Sequence, residues 1–332
     1  MKEIAIVGAG SWGTALAVVA ARAGHDVRLW SRSADVVSSI KERRTNSRYL
    51  TSTAIPQNVT ATNDLSEALR EASLVLLAVP SHGARELLTS MSPLLEEDAI
   101  IVSVSKGIEI ETGKRISEIA TEVVSDPHPF VCLSGPSFAK EVIAGHPTAI
   151  VAASTDLLAA RAVQNDLSLE NLRIYTNADV VGTELGGSVK NVMAIAAGMT
   201  TGLGFGTNSV AALITRGLAE ITRLARREGA QIETLMGLAG LGDLVLTCTG
   251  SLSRNRFVGE QLGRGRKLDE IVAELNEVAE GINTARAVKQ LADRAGLEMP
   301  ITNEVNAVLY DGKSARDAVT ELMSRPLREE IH

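Results

Sequence analysis

The sequence predicts an α/β protein: a mostly parallel sheet with helices on both faces, followed by an all-α domain. Three observations carry this. Short apolar, β-branched runs alternate with helical stretches up to about residue 178, the pattern of parallel strands covered on both sides. After Asp179 helical periodicity takes over and no convincing strand pattern remains. A glycine signature, Gly8, Gly10 and Gly13, sits between the first strand and the first helix. The length of 332 residues exceeds one ordinary core and fits two domains, 1–178 and 179–332.

Strands are expected at 3–7, 26–30, 73–79 ("SLVLLAV"), 98–104 ("DAIIVSV"), 130–133, 148–153 and 172–176. Helical stretches such as 13–23 and 64–71 lie between them. The second part reads as helices over 179–199, 208–228, 268–276, 283–295, 301–310 and 314–323. Glycine-rich breaks at 202–206 ("GLGFG") and 237–242 ("GLAGLG") separate them. There is no internal repeat, low-complexity tract or long linker.

Composition narrows the function. Hydrophobic residues make up 45% and charged residues 22%, which is globular. The net charge of −7 argues against a general nucleic-acid binder, which needs a basic surface. No apolar run approaches the ~20 residues that span a bilayer. Met1-Lys2-Glu3 leads straight into "IAIV" with no signal-peptide pattern, so a cytoplasmic protein without membrane insertion is expected. The two cysteines, Cys132 and Cys248, lack metal-type spacing, and no metal is expected.

The strongest local signal is "IAIVGAGSWGTALAVVAARAG". In a strand–turn–helix context the glycines of GxGxxG serve three mechanical ends, namely a tight turn, close backbone approach to a pyrophosphate, and helix–strand packing. The helix then offers its free N–H groups to the phosphates, which gives the first domain a Rossmann-type reading. At the end of the second strand an acidic residue would grip the ribose 2′-hydroxyl of NAD. Ser31, Arg32 and Ser33 stand there instead. Arginine beside hydroxyls suits a 2′-phosphate, so NADPH is favoured over NADH; a solvated surface arginine is the plain alternative.

A nicotinamide cofactor implies hydride transfer, for which the protein supplies orientation and a proton. Lys106, in "VSVSKGIE", falls at a strand's carboxyl end, where open α/β sheets bind ligands. Lys190 lies in an otherwise apolar or small helix, with Gly186 and Gly187 on its own face. Those two positions predict a hollow beside the ammonium group. Partial burial there, or Lys106 nearby, would disfavour its charged form and make it a better acid. Ser253 is a good N-cap for a helix beginning Arg254-Asn255, either a phosphate cradle or simply a well-capped helix. Asp243 could hold a substrate hydroxyl, orient a lysine, or serve as a turn residue. The five histidines, His25, His82, His128, His146 and His332, show no pattern. On the residues alone, hydroxy-acid, hydroxyacyl and 6-phosphogluconate dehydrogenases stay open, as does a dinucleotide sensor without turnover.

Taken together, "GAGSWGTALA", "VSKGIE", "LSGPSFAKEV", "GGSVKNVMAIAAGM", "ALITRGLAEI", "GLGDLVLTCT", "SRNR" and "EGINTA" resemble the bacterial NAD(P)-dependent glycerol-3-phosphate dehydrogenase family, in its order and over nearly the whole chain. The resemblance implies reduction of dihydroxyacetone phosphate to sn-glycerol 3-phosphate, a glycerophospholipid precursor. It implies Lys190 as proton donor. Substrate contacts would be Lys106, Gly135, Ser137, Lys190, Asp243, Ser253, Arg254 and Asn255. Cofactor contacts would be Ser11, Trp12, Arg32, Lys106, Ala139, Arg254, Val278 and Glu280, beside the glycines of the turn. The family is commonly homodimeric. One departure is that Ser31 and Ser33 flank Arg32, where relatives often carry a second basic or histidine side chain.

Overall fold

The chain opens with an apolar strand, β1 (Glu3–Val7), whose alternate side chains enter two separate cores. Ile4 and Ile6 join the cluster under one layer of helices, Ala5 and Val7 the cluster under the other. This two-sided burial is what a period of two gives to a central strand. The computed structural model describes residues 1–275, 278–327, 329 and 330. Asn276, the last residue of the expected 268–276 helix, and His332 lie outside these.

The first part runs β1, α1 (Ser11–Arg22), β2 (Asp26–Trp30), α2 (Ala34–Arg43), β3 (Val59–Thr62), α3 (Leu65–Leu69), β4 (Leu74–Leu77) and α4 (Ala84–Met91). It continues with β5 (Ile100–Ser103), α5 (Ile116–Val123), β6 (Phe130–Ser134), α6 (Ala139–Ile143), β7 (Thr148–Ala153), α7 (Leu157–Leu167) and β8 (Leu172–Asn177). The eight strands form one sheet in the order β3-β2-β1-β4-β5-β6-β7-β8, parallel throughout except where β6 meets β7. The order reverses between β1 and β4, which opens a crevice beyond their carboxyl ends.

Two sequence expectations need correction here. Strand β3 is an addition: "VTAT" has four residues, half of them threonine, and it lies at the sheet edge on β2 alone. The strands expected over 73–79 and 98–104 are shorter, because Ala78, Val79, Val104 and Ser105 continue past the ladder onto the wall of a cavity.

The second part is helical: α8 (Val180–Gly202), α9 (Thr207–Arg227), α10 (Ile232–Met236), α11 (Asp243–Thr249), α12 (Arg254–Gly263), α13 (Leu268–Glu274), α14 (Glu280–Ala295), α15 (Pro300–Tyr310) and α16 (Ala315–Ser324). Asp179 caps α8, its carboxylate accepting the Gly182 N–H at 2.8 Å. A helix apolar on every side must be wrapped, and α8 is: nearly all of its residues are buried. Two short helices, α10 and α11, are further additions to the sequence expectation. The break in "GLAGLG" narrows to Gly237, an extended residue that ends α10. Leu238–Gly242 is a π-helical turn running directly into α11. A Cβ on Gly186 of α8 would stand 2.7 Å from the Ala239 carbonyl oxygen, so the glycine at 186 lets the π-turn pack closely on α8.

Candidate active site

A cavity of about 490 Å³ runs between the two parts of the chain. At one end lie Gly8, Gly10, Ser11, Trp12, Gly13 and Arg32; at the other, Lys106, Ser137, Lys190, Ser253, Arg254 and Asn255, with Val278 and Glu280 beside them. The glycine turn fits a dinucleotide pyrophosphate. Gly8 has φ +120°, a conformation that L side chains rarely adopt, and a Cβ there would meet the Val79 side chain at 2.9 Å. Nothing lies within 4 Å of where a Cβ on Gly10 would be, so the backbone faces open space. Gly10 also caps α1 without a side-chain hydrogen bond, and a helix start of this kind suits an anion.

At the other end three charged groups converge. Lys190 is only 5% exposed and Asp243 only 1%. The Lys190 ammonium donates to Asp243 Oδ1 and, at 2.7 Å, to Thr247 Oγ1. Lys106 Nζ donates to the other carboxylate oxygen of Asp243 at 2.7 Å and to the Gly135 carbonyl at 3.0 Å. Thr247 spends its own proton on the Asp243 carbonyl at 2.6 Å, one helical turn back, so its oxygen is turned as an acceptor towards Lys190. Burial, assisted by the neighbouring Lys106 cation and opposed by Asp243, brings the Lys190 ammonium down to about 7. Burial also pushes the Cys248 thiol up to about 12, which makes it inert packing.

An amide relay fixes the frame. Asn255 accepts the Gly281 N–H at 2.9 Å and donates to Asn191 Oδ1 at 2.9 Å; Asn191 donates to the Lys106 carbonyl at 3.2 Å. Ser253 caps α12, accepting the Arg256 N–H at 3.2 Å, and keeps its O–H as a donor. Arg254 is the first residue of that helix. Glu280, its carboxyl raised by burial, accepts both the N–H of Ser81 at 3.2 Å and its hydroxyl at 2.8 Å.

Not every expected contact lies on the wall. Asp243 stands behind it, bridging the two lysines. Gly135 sits at the end of β6, where a Cβ would come within 2.9 Å of Ile150 Cα, and offers its carbonyl to Lys106. Ala139 begins α6, outside the lining. The expected hollow beside Lys190 is filled: the π-turn packs on Gly186, and a Cβ on Gly187 would stand 2.6 Å from Ser134 Oγ. Sequence reasoning misses Thr247 and Asn191 as partners of the lysines. Thr247, four residues after Asp243 in "DLVLT", shares its helix face, and that spacing is the available signal. His82, Arg48 and Tyr49 also line the cavity, although no sequence motif marks them.

The comparisons agree with this geometry. The profile of the NAD-dependent glycerol-3-phosphate dehydrogenase N-terminus matches residues 3–160, and that of its C-terminus matches 179–320. The chain is 55% identical to the glycerol-3-phosphate dehydrogenase [NAD(P)+] of Koribacter versatilis, covering 100% of this chain and 99% of the relative. It is 51% identical to that of Citrifermentans bemidjiense, with 99% of each covered. The crystal structure of glycerol-3-phosphate dehydrogenase from Coxiella burnetii superposes with a TM-score of 0.95 at 41% identity, over 98% of this chain and 99% of that one. A ketopantoate reductase from Ralstonia eutropha, at 17% identity and a TM-score of 0.62 over 96% of this chain and 99% of that one, shares the fold alone. With both halves matched and the sequence likeness running end to end, the chain belongs to the NAD(P)-dependent glycerol-3-phosphate dehydrogenase family.

Proposed function

We propose that this enzyme reduces dihydroxyacetone phosphate to sn-glycerol 3-phosphate, with NADPH preferred over NADH, and so feeds glycerophospholipid synthesis. The observation that carries the reading is the single cavity joining a pyrophosphate turn to a buried lysine pair and a capped helix start. Residues 1–178 are read as the cofactor domain and 179–332 as the substrate domain. A cytoplasmic homodimer belongs to the same reading; sedimentation should give twice the chain mass.

Bound nicotinamide dinucleotide supplies the hydride. Lys190 delivers a proton to the substrate carbonyl oxygen, and in the oxidative direction takes it back as a base. Asp243 and Thr247 aim the ammonium, so little reorganisation is needed when charge develops on that oxygen. Lys106 leaves the cluster with one net positive charge, two lysines against one carboxylate, which stabilises the forming alkoxide. The phosphate is held by the Ser253 hydroxyl, the Arg254 guanidinium and the remaining amide proton of Asn255 at the start of α12, where the helix dipole adds to the attraction.

Lys190→Ala should lower turnover by ~10²–10⁴-fold while cofactor affinity, read by fluorescence titration, stays near wild type. Unaltered turnover would reject the proton-donor role. The phosphate site is tested by substrate: dihydroxyacetone phosphate should be reduced and unphosphorylated dihydroxyacetone should not.

A further inference from the structure

We infer that Arg48 is the second cation of a 2′-phosphate site whose first is Arg32, and that buried Asn46 sets its position. This rests on the reading that the cavity takes NADP(H), and extends it to residues well beyond the end of β2.

The cavity wall at this end comprises Ser31, Arg32, Ser33, Arg48 and Tyr49. The last two come from the segment after α2, a part of the chain with no cofactor motif. Asn46 puts them there. It is 0% exposed and its side chain is fully spent. Its Nδ2 donates at 2.9 Å to the carbonyl of Ala9, inside the glycine turn, and at 2.9 Å to Thr14 Oγ1 on α1. Its Oδ1 accepts the backbone N–H of Arg48 at 3.1 Å and of Tyr49 at 3.0 Å. One buried amide therefore joins the pyrophosphate turn to the residues that wall the ribose end. A buried amide with all its bonds made costs little and fixes geometry; a flexible loop would gain nothing from it.

The neighbouring arginine has other duties. Arg44, in the left-handed cap of α2, turns its guanidinium to the carbonyls of Ile55 and Pro56. Arg48 instead has its guanidinium carbon 5.5 Å from the centre of the Tyr49 ring, a contact that restrains a long side chain at the mouth of the cavity. A single exposed arginine on a phosphate is weakened by solvent. Two guanidinium forks meeting a dianion, with the hydroxyls of Ser31 and Ser33 beside them, make several charge-assisted bonds that a bare 2′-hydroxyl cannot. The site would therefore discriminate between the two dinucleotides rather than bind both more tightly.

The test uses adenosine 2′,5′-bisphosphate and adenosine 5′-monophosphate as probes in calorimetric titrations of the full chain. The wild type should bind the bisphosphate at least tenfold more tightly, and Arg48→Ala should remove on the order of tenfold of that preference, with monophosphate affinity changed by less than about twofold. Retained monophosphate binding also shows that the variant is folded. Arg48→Lys should fall between, since it keeps the charge and loses the fork. If Arg32→Ala lowers the preference and Arg48→Ala does not, or if Arg48→Ala weakens both probes equally, the role of Arg48 is wrong while the NADPH reading stands. If the wild type does not prefer the bisphosphate, the NADPH preference itself falls and this inference with it.

Discussion

Lys190 shows how a residue type that is almost never buried is kept inside. Its ammonium meets Asp243, Thr247 and, across the carboxylate, Lys106, so neither protonation state is strongly preferred near neutrality. In the proposed reaction, a donor poised at about 7 is protonated for reduction and can be re-protonated between turnovers. The sign of the pH dependence follows. Reduction needs the ammonium, so kcat for reduction should fall as pH rises through about 7, whereas oxidation of glycerol 3-phosphate needs the amine and should rise over the same range. Stopped-flow rates in both directions would show two crossing curves; parallel curves would mean that another group carries the proton. Thr247→Val removes a neutral acceptor that favours the charged form. It should move both curves to lower pH and reduce reduction severalfold at pH 8, with cofactor KM little changed.

At the scale of elements, the crossing of α8 and α12 brings the lysine-bearing helix against the helix whose start is the proposed phosphate cradle. Glycines on both sides make the approach possible. A Cβ on Gly198 would lie 2.7 Å from the Glu260 nitrogen, and one on Gly259 2.9 Å from the Met199 nitrogen. Backbone cannot yield as a side-chain tip can, so Gly259→Ala should cost about 1–3 kcal/mol, lower Tm by a few degrees, and raise KM for dihydroxyacetone phosphate more than KM for the dinucleotide. Thermal melts and initial rates would check this; an unchanged Tm would mean the helices slide apart without penalty. The same elements show what the chain makes legible. The cap at Ser253 and the glycine turn at Gly8–Gly13 can be read because the residues that define them are neighbours in sequence. The π-turn at Leu238–Gly242 cannot, since the close approach it makes depends on Gly186 of α8, a residue distant in sequence. Strand β3 is hidden for a related reason: four short residues form a strand only because β2 is beside them.

Across the whole molecule, bonds between residues distant in sequence tie the sheet to the helices, and these lie furthest from sequence reading. Lys106 reaches Asp243, 137 positions on, and Ser81 reaches Glu280 over 199. Arg115 and Ser117, at the start of α5, reach Glu184 on α8. Glu184 Oε2 accepts from Arg115 Nη1 at 3.0 Å and from Ser117 Oγ at 2.5 Å, and Oε1 accepts the Ser117 N–H at 2.8 Å. Burial raises the carboxyl of Glu184, and the guanidinium opposes that rise. Such a pair gains little over a well-packed apolar pair, because both ions are desolvated, yet losing one partner strands the other. Arg115→Met should therefore destabilise by about 3–5 kcal/mol, and the double replacement Arg115→Met with Glu184→Met should recover much of that loss. Urea unfolding of the single variants, the double variant and the wild type decides it. If the double variant is as unstable as the sum of the two single ones, the link between sheet and helices rests on packing around these side chains and not on their charges. Recovery would show that the ion pair does not itself stabilise the fold.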